Sequence, residues 1–355
     1  MEYKRRNAKT VRVGTLTLGG DAPIAVQSML NTDSHDADDC YRQTKALADA
    51  GCRIVRLAVP DIEAARTFAA LKERGVTVPL VADIHFDYKI ALEAAACGAD
   101  KIRINPGNIG DDERVRAVVN ACREKGLPIR IGVNSGSLEK HILAKYGSPT
   151  AEALAESAMY HAALLEKFDF TDIVISIKAS TVRDMIAANR ILAEKCQYPL
   201  HLGVTEAGSA HMGTVKSAAG IGALLADGIG DTIRVSLTAD PVQEVIEAHA
   251  ILRALGMEDS GIDLVSCPTC GRTQIPLIDM VAEFERKAVD LHPSRRVKVA
   301  MMGCIVNGPG EAREADIGIA GGKNEAVLFR HGEIVKKIPA EGAVDVLIDE
   351  IRKMG

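Results

Sequence analysis

Three cysteines late in the chain are spaced for joint chemistry. Cys267 and Cys270 form a CxxC, and Cys304 stands in Met302-Gly-Cys-Ile-Val-Asn-Gly-Pro-Gly-Glu311, directly after a strand-like run. Two thiolates from one turn and a third from a distant glycine-rich loop can converge on one metal centre. Structural zinc wants four ligands, and His292 would complete a Cys₃His set. A carboxylate is the other source of a fourth ligand, and Glu311 follows the glycine turn closely. Three thiolates plus a replaceable oxygen suit a [4Fe–4S] cluster with one reactive iron. Spacing alone leaves cluster, zinc and redox dithiol open. The remaining cysteines, Cys40, Cys52, Cys97, Cys122 and Cys196, stand singly and read as small buried hydrophobes.

A second set is cationic. Arg56, Arg103, Lys178 and Arg234 each end a run that reads as a strand, and Arg130 lies within another, with Asn134 and Gly136 just beyond it. Arginine offers a planar fork of donors matched to phosphate oxygens, and lysine adds a point charge. Several cations in one mouth repel each other without an anion, so the expected ligand is a small molecule with more than one phosphate. Ion pairing with Asp83, Asp87 or Glu206 is the competing reading. Asn105-Pro-Gly-Asn108 and Asn134-Ser-Gly-Ser137 both follow strands, and their glycines permit backbone N–H groups to approach an anion. Glu206, just past the seventh strand, is placed to move a proton or to pair with a cation. His85 and His201, also at strand ends, read as core or supporting histidines.

The elements that must position these groups are legible. Strands are expected near Ile24–Ser28, Ile54–Ala58, Pro79–Asp83, Lys101–Asn105, Ile129–Val133, Asp172–Ile177, Leu200–Val204 and Thr232–Ser236, each followed by a helical pattern. In one helix Val115, Val118, Val119 and Cys122 recur at helical spacing, with Asp111 and Asp112 at its start and Gly126 at its end. Eight such units make a (β/α)8 TIM barrel, whose active site lies at the C-terminal strand ends. A doubly wound sheet is the runner-up, but the turn after strand one, Met29-Leu30-Asn31-Thr32-Asp33, has no glycine. Val11–Leu18 and Gly19-Gly20 read as a hairpin at the barrel's bottom. The pattern changes after Gly256, where a small C-terminal α/β domain is expected: a helix near Pro276–Leu291, strand-like runs Val297–Met301, Ala315–Ala320, Ala326–Arg330 and Ile334–Ile338, and a last helix, Ala343–Met354. The domains are 1–258 and 259–355.

Composition agrees with a globular α/β chain. The 355 residues are 47% hydrophobic and 26% charged with no Trp, so the core is built from Ala, Val, Ile and Leu. A net charge of −5 and scarce aromatics point away from nucleic acid. No run reaches the roughly 18 apolar residues of a membrane span, and the basic start lacks a signal peptide's apolar stretch. The cytoplasm is the default location, where cysteines serve as thiols or metal ligands.

Val-Ala-Asp-Ile-His-Phe-Asp (81–87), Lys-Ile-Arg-Ile-Asn-Pro-Gly-Asn (101–108), Ile-Gly-Val-Asn-Ser-Gly-Ser-Leu (131–138), His-Leu-Gly-Val-Thr-Glu-Ala-Gly (201–208), Cys-Pro-Thr-Cys-Gly-Arg (267–272) and Gly-Cys-Ile-Val-Asn-Gly-Pro-Gly-Glu (303–311) together resemble the IspG (GcpE) family of 4-hydroxy-3-methylbut-2-enyl diphosphate synthases. The resemblance runs nearly end to end. It implies reductive ring opening and dehydration of 2-C-methyl-D-erythritol 2,4-cyclodiphosphate in the non-mevalonate isoprenoid route, with two electrons entering through a [4Fe–4S] cluster. It places the cluster ligands on Cys267, Cys270, Cys304 and Glu311. It assigns diphosphate binding to Arg56, Arg103, Arg130, Asn134, Lys178, Arg234 and Ser236, and an active-site role to Glu206. It further implies a homodimer and an electron donor such as flavodoxin or ferredoxin. Cys267 follows the eighth helix almost at once, as in the family's short form. A non-redox sugar-phosphate barrel stapled by Cys₃His zinc through His292 is the alternative.

Overall fold

The computed structural model describes residues 4–179, 181–205, 208–289, 291, 293–305 and 313–354. The chain divides into two compact units, Met1–Leu255 and Gly256–Gly355.

The first unit opens with a hairpin, β1 (Val11–Val13) and β2 (Leu16–Leu18), paired antiparallel. Eight strands follow: β3 (Ala25–Met29), β4 (Ile54–Ala58), β5 (Leu80–Asp83), β6 (Lys101–Ile104), β7 (Ile129–Asn134), β8 (Ile173–Lys178), β9 (His201–Gly203) and β10 (Thr232–Arg234). They form one sheet of parallel neighbours, β8-β7-β6-β5-β4-β3-β10-β9. A parallel bridge between Ile175 and Leu200 joins β8 to β9 and closes the barrel. The eight-strand expectation therefore holds, with boundaries within two residues.

Local chemistry explains the elements. The helix Asp112–Lys125 buries Val115, Val118, Val119 and Cys122. Asp111 caps its start by accepting the Arg114 N–H, and Gly126 ends it at φ 65°, a conformation glycine adopts without strain. Pro241–Ala254 starts on Asp240 with proline in the first turn. The hairpin contributes Val11, Val13 and Leu18 to a buried cluster with Ala25, Ile54, Val81 and Val174. Those partners sit toward the N-terminal ends of their strands, so the hairpin plugs the bottom of the barrel. Each such side chain contributes roughly 1.5–3 kcal/mol on burial, enough together to seat the hairpin firmly.

The second unit is a five-stranded sheet: β11 (Gly261–Ser266), β12 (Arg296–Met302), β13 (Ile317–Gly322), β14 (Glu325–Arg330) and β15 (Glu333–Pro339), in that spatial order. The first three run parallel and the last two antiparallel. Helices Leu277–Ala288 and Ala343–Arg352 cover one face, where Phe284, Met280, Leu347 and Ile351 pack on Val297, Val299, Ile317 and Ile319. Strand β11 was not expected. It is half-buried along its length and carries Asp263 and Ser266, so it shows no alternation to read.

Candidate active site

The C-terminal ends of the barrel strands surround a cavity of about 390 Å³ lined by Arg56, His85, Arg103, Arg130, Asn134, Ser135, Gly136, Ser176, Lys178, Ala179 and Thr205. Five residues singled out from sequence, Arg56, Arg103, Arg130, Asn134 and Lys178, thus share one wall. Alternation puts them there. Arg56 and Arg130 project inward from β4 and β7, and Arg103 and Lys178 do so from β6 and β8, while the intervening aliphatic residues face the helices.

Among the described residues the cations are only partly compensated. Asp83 on β5 accepts from Arg56 at 2.5 Å and from Arg103 at 3.0 Å. Burial alone would raise the pKa of this carboxyl, but the two guanidiniums overcome it and hold Asp83 well below the usual carboxylate range. Arg234 ends β10 and pairs with Glu244 at 3.3 Å. Among the described residues Arg130 meets only a neutral hydroxyl, Ser176 Oγ at 3.3 Å. Burial, then the neighbouring Arg56 and Arg103, push its pKa well down. Burial, then Arg56 and Arg234, do the same to Lys178. Five cations therefore face two carboxylates among the described residues. Such a site is set to take an anion, because a bound phosphate relieves the repulsion that burial magnifies.

Several expectations are refined. The competing ion-pair reading is realised at Asp83 but not at Asp87, which caps the helix Tyr88–Ala96 through the Lys89 N–H. Asn134-Ser-Gly-Ser137 reaches the cavity, but Asn105–Asn108 does not line it. There Asn105 accepts the Gly107 N–H and Pro106 starts a short helix, so the turn is spent on capping. Arg234 and Ser236 lie at and beyond the end of β10 and are not among the cavity-lining residues. His201 is fully buried, whereas His85 is half-exposed and lines the cavity. Glu206, Glu311 and His292 lie outside the described residues. Ser176 and Thr205 were missed. A small hydroxyl carries no positional signal until the strands are in register.

The C-terminal unit gathers the three thiols at one end of its sheet. Strands β11 and β12 run parallel with Ser266 beside Met301, so Cys267 and the Gly303-Cys304 turn leave the sheet together. The Gly303 N–H donates to Cys267 Sγ at 3.2 Å, and the Gln274 N–H donates to the Gly303 carbonyl at 2.9 Å. Cys270 is exposed; hydrogen bonding from the Arg272 backbone and side chain lowers its pKa. All three are free thiols. Among the described residues no three His, Cys, Asp or Glu side chains form a closed metal site. The donor set nonetheless fits an iron–sulfur cluster: three thiols on one sheet end, one already accepting a backbone N–H as cluster thiolates do. The five barrel cysteines are otherwise employed. Burial raises their thiol pKa values, Cys52 to about 11 and Cys122 to about 12.

A (β/α)8 barrel with a cationic mouth, followed in the chain by an α/β unit presenting three thiols, is the class of protein these units define. The chain belongs to the GcpE family: residues 8–249 match the GcpE TIM-barrel domain and residues 263–353 the GcpE protein C-terminal domain. It is 57% identical to a protein of Ruminiclostridium cellulolyticum named 4-hydroxy-3-methylbut-2-en-1-yl diphosphate synthase (flavodoxin), over 99% of each chain. Proteins of the same name from Clostridium perfringens and Geobacter sulfurreducens are 56% and 55% identical, the alignments covering 97% and 99% of this chain and 98% of each relative. Among solved structures, a Yersinia pestis dihydropteroate synthase aligns with 70% of this chain and 99% of its own at 16% identity and a TM-score of 0.50. That likeness shows the barrel fold. Among the described residues no helix is long and apolar enough to cross a membrane.

Proposed function

We propose that this chain is a 4-hydroxy-3-methylbut-2-enyl diphosphate synthase that reductively opens 2-C-methyl-D-erythritol 2,4-cyclodiphosphate and releases water. The observation that carries this reading is the undercompensated cavity of Arg56, Arg103, Arg130 and Lys178, in a chain 57% identical to a protein named for that activity. The substrate bears two phosphates, which match a mouth in which forked donors and a point charge converge.

Arg56, Arg103, Arg130, Asn134 and Lys178 bind the diphosphate, with Arg234 and Ser236 completing the rim. Their charge matters most as the ring opens, since the freed phosphate oxygen gains negative charge that preorganised donors stabilise. Glu206 moves a proton in the mouth. GcpE-family enzymes are [4Fe–4S] proteins; Cys267, Cys270 and Cys304 hold the cluster here, with Glu311 as its exchangeable ligand. When bound, the cluster supplies the two electrons that the reaction consumes. The names of the relatives point to flavodoxin as donor; a ferredoxin has the same electron-carrying chemistry. The family resemblance supports a homodimer working in the cytoplasm. A non-redox barrel with Cys₃His zinc is not favoured, because the curated relatives carry the synthase name along their whole length.

Anaerobic purification with metal and sulfide analysis tests the cofactor, and reductive turnover of the cyclodiphosphate tests the reaction. About four irons per chain and turnover that fails in Arg130→Ala are expected. Glu311→Gln should keep the cluster but lose most of the rate. A colourless protein with about one zinc per chain would return the zinc-stapled barrel to first place.

A further inference from the structure

Beneath the cavity the barrel interior stays polar. Lys101 begins β6, two residues before Arg103 on the same inward face, and is 0% exposed. Among the described residues its Nζ has no hydrogen-bond partner, and the same holds for both side-chain polar atoms of Gln27, for Arg130 Nε and for His201 Nε2. A lysine ammonium buried without an acceptor is among the most costly arrangements in a protein interior.

The groups facing Lys101 make the charged form costlier still. Arg130 on β7 and Arg56 on β4 bear on it directly. The rest of the interior offers Arg103 from its own strand, Lys178 from β8, His201 from β9 and Arg234 from β10, while β3 gives only neutral Gln27. Among the described residues the two carboxylates near these cations are already committed, Asp83 on β5 to Arg56 and Arg103, and Glu244 to Arg234. Burial first, then Arg130 and Arg56, set the Lys101 pKa well below that of a free lysine. Without an anion nearby, burial among these cations disfavours the ammonium form of Lys101.

We propose that Lys101 takes up a proton when a phosphorylated anion binds in the cavity above it, so that anion binding and protonation of this buried amine are one coupled event. Solvent supplies the proton, and the amine becomes an ammonium whose charge the arriving anion offsets. The sign follows from linkage: a ligand that binds with proton uptake binds more weakly as pH rises. Lys101 is thus a positioning residue that matches the charge of the barrel interior to the charge of its ligand. The inference rests on the mouth being an anion site.

Titration calorimetry with inorganic pyrophosphate on the anaerobically purified full chain tests it, run in buffers of differing ionisation enthalpy at one mildly alkaline pH. Pyrophosphate's own protonation is common to all variants and cancels in the difference. Lys101→Met is expected to bind with about one proton fewer taken up than the wild type, and with a flatter dependence of affinity on pH. Lys101→Gln gives the same reading if the methionine variant fails to fold. Equal uptake in wild type and variant overturns the proposal, as does a loss of uptake in His201→Asn with uptake intact in the lysine variant. If the wild type does not bind pyrophosphate at all, the anion site itself is wrong and the proposal falls with it.

Discussion

Asp83 and Arg103 meet at 3.0 Å across neighbouring barrel strands, and the same carboxylate also holds Arg56. One buried anion thus fixes two of the cations that line the cavity. Replacing it by Asp83→Asn leaves two guanidiniums uncompensated in the interior. A loss of about 3–5 kcal/mol in unfolding free energy is expected, read by denaturant titration. Because the folded pKa of Asp83 is depressed, its contribution is complete above the unfolded carboxylate range and is lost progressively as pH falls from there through the folded value. The stability gap between wild type and variant should therefore persist through mild acid. A gap that closes near the ordinary carboxylate pKa would contradict the assignment.

Gly132 makes room for Arg103. A Cβ at this position would stand 2.6 Å from both Nε and Nη2 of that guanidinium. Gly132→Ala should push the fork off its line and remove roughly 1.5 kcal/mol of charge-assisted hydrogen bonding to the ligand. Steady-state kinetics should show KM for the cyclodiphosphate raised about tenfold. An unchanged KM would mean that Arg103 serves Asp83 alone.

His161 is fully buried and its Nε2 lies 2.5 Å from Glu139 Oε1. Glu139 follows the Asn134–Ser137 turn, part of which lines the cavity. Burial would raise the Glu139 pKa, but hydrogen bonding and charge from His161 bring it below its ordinary value. Glu139→Gln and His161→Gln should loosen that turn, raising KM several-fold with a smaller change in kcat. A fall of melting temperature with KM untouched would make the pair a scaffold contact only.

The loop bearing Cys304 is seated against β13. A Cβ on Gly321 would come 2.7 Å from the Gly303 carbonyl oxygen and from Ile275 Cγ1. Gly321→Ala therefore has to move the Cys304 turn without removing a ligand. Iron content after anaerobic reconstitution should drop well below that of the wild type while the barrel's pyrophosphate affinity stays the same. Full iron loading in this variant would show that the turn tolerates displacement.

Thiol reactivity separates the two classes of cysteine. Cys52 and Cys122 are buried, with thiols pushed up to about 11 and about 12, whereas Cys270 is exposed. In metal-free native protein, alkylation followed by peptide mapping should label Cys270 early and leave Cys52 and Cys122 unmodified until the chain unfolds. Early labelling of Cys122 would place it outside the core.

Sequence by itself determined the barrel and the candidates at its mouth. Strand period, helix caps such as Asp111 and Asp240, and strand-ending cations such as Lys178 and Arg234 are local features, written in adjacent residues. The CxxC and the glycine loop after β12 were legible for the same reason. Tertiary structure alone decided which charges are satisfied. Nothing near Arg234 in sequence marks Glu244 as its partner, because the contact forms only when the following helix folds back on the strand. Nor does Lys101 look unusual in Lys-Ile-Arg-Ile; its isolation inside a ring of cations exists only once eight strands close and every second residue turns inward. Strand β11 was hidden because its order comes from pairing with β12 rather than from its own pattern. Periodicity is set by neighbours along the chain, but compensation of charge depends on distances across the barrel, which are fixed only when strand register is.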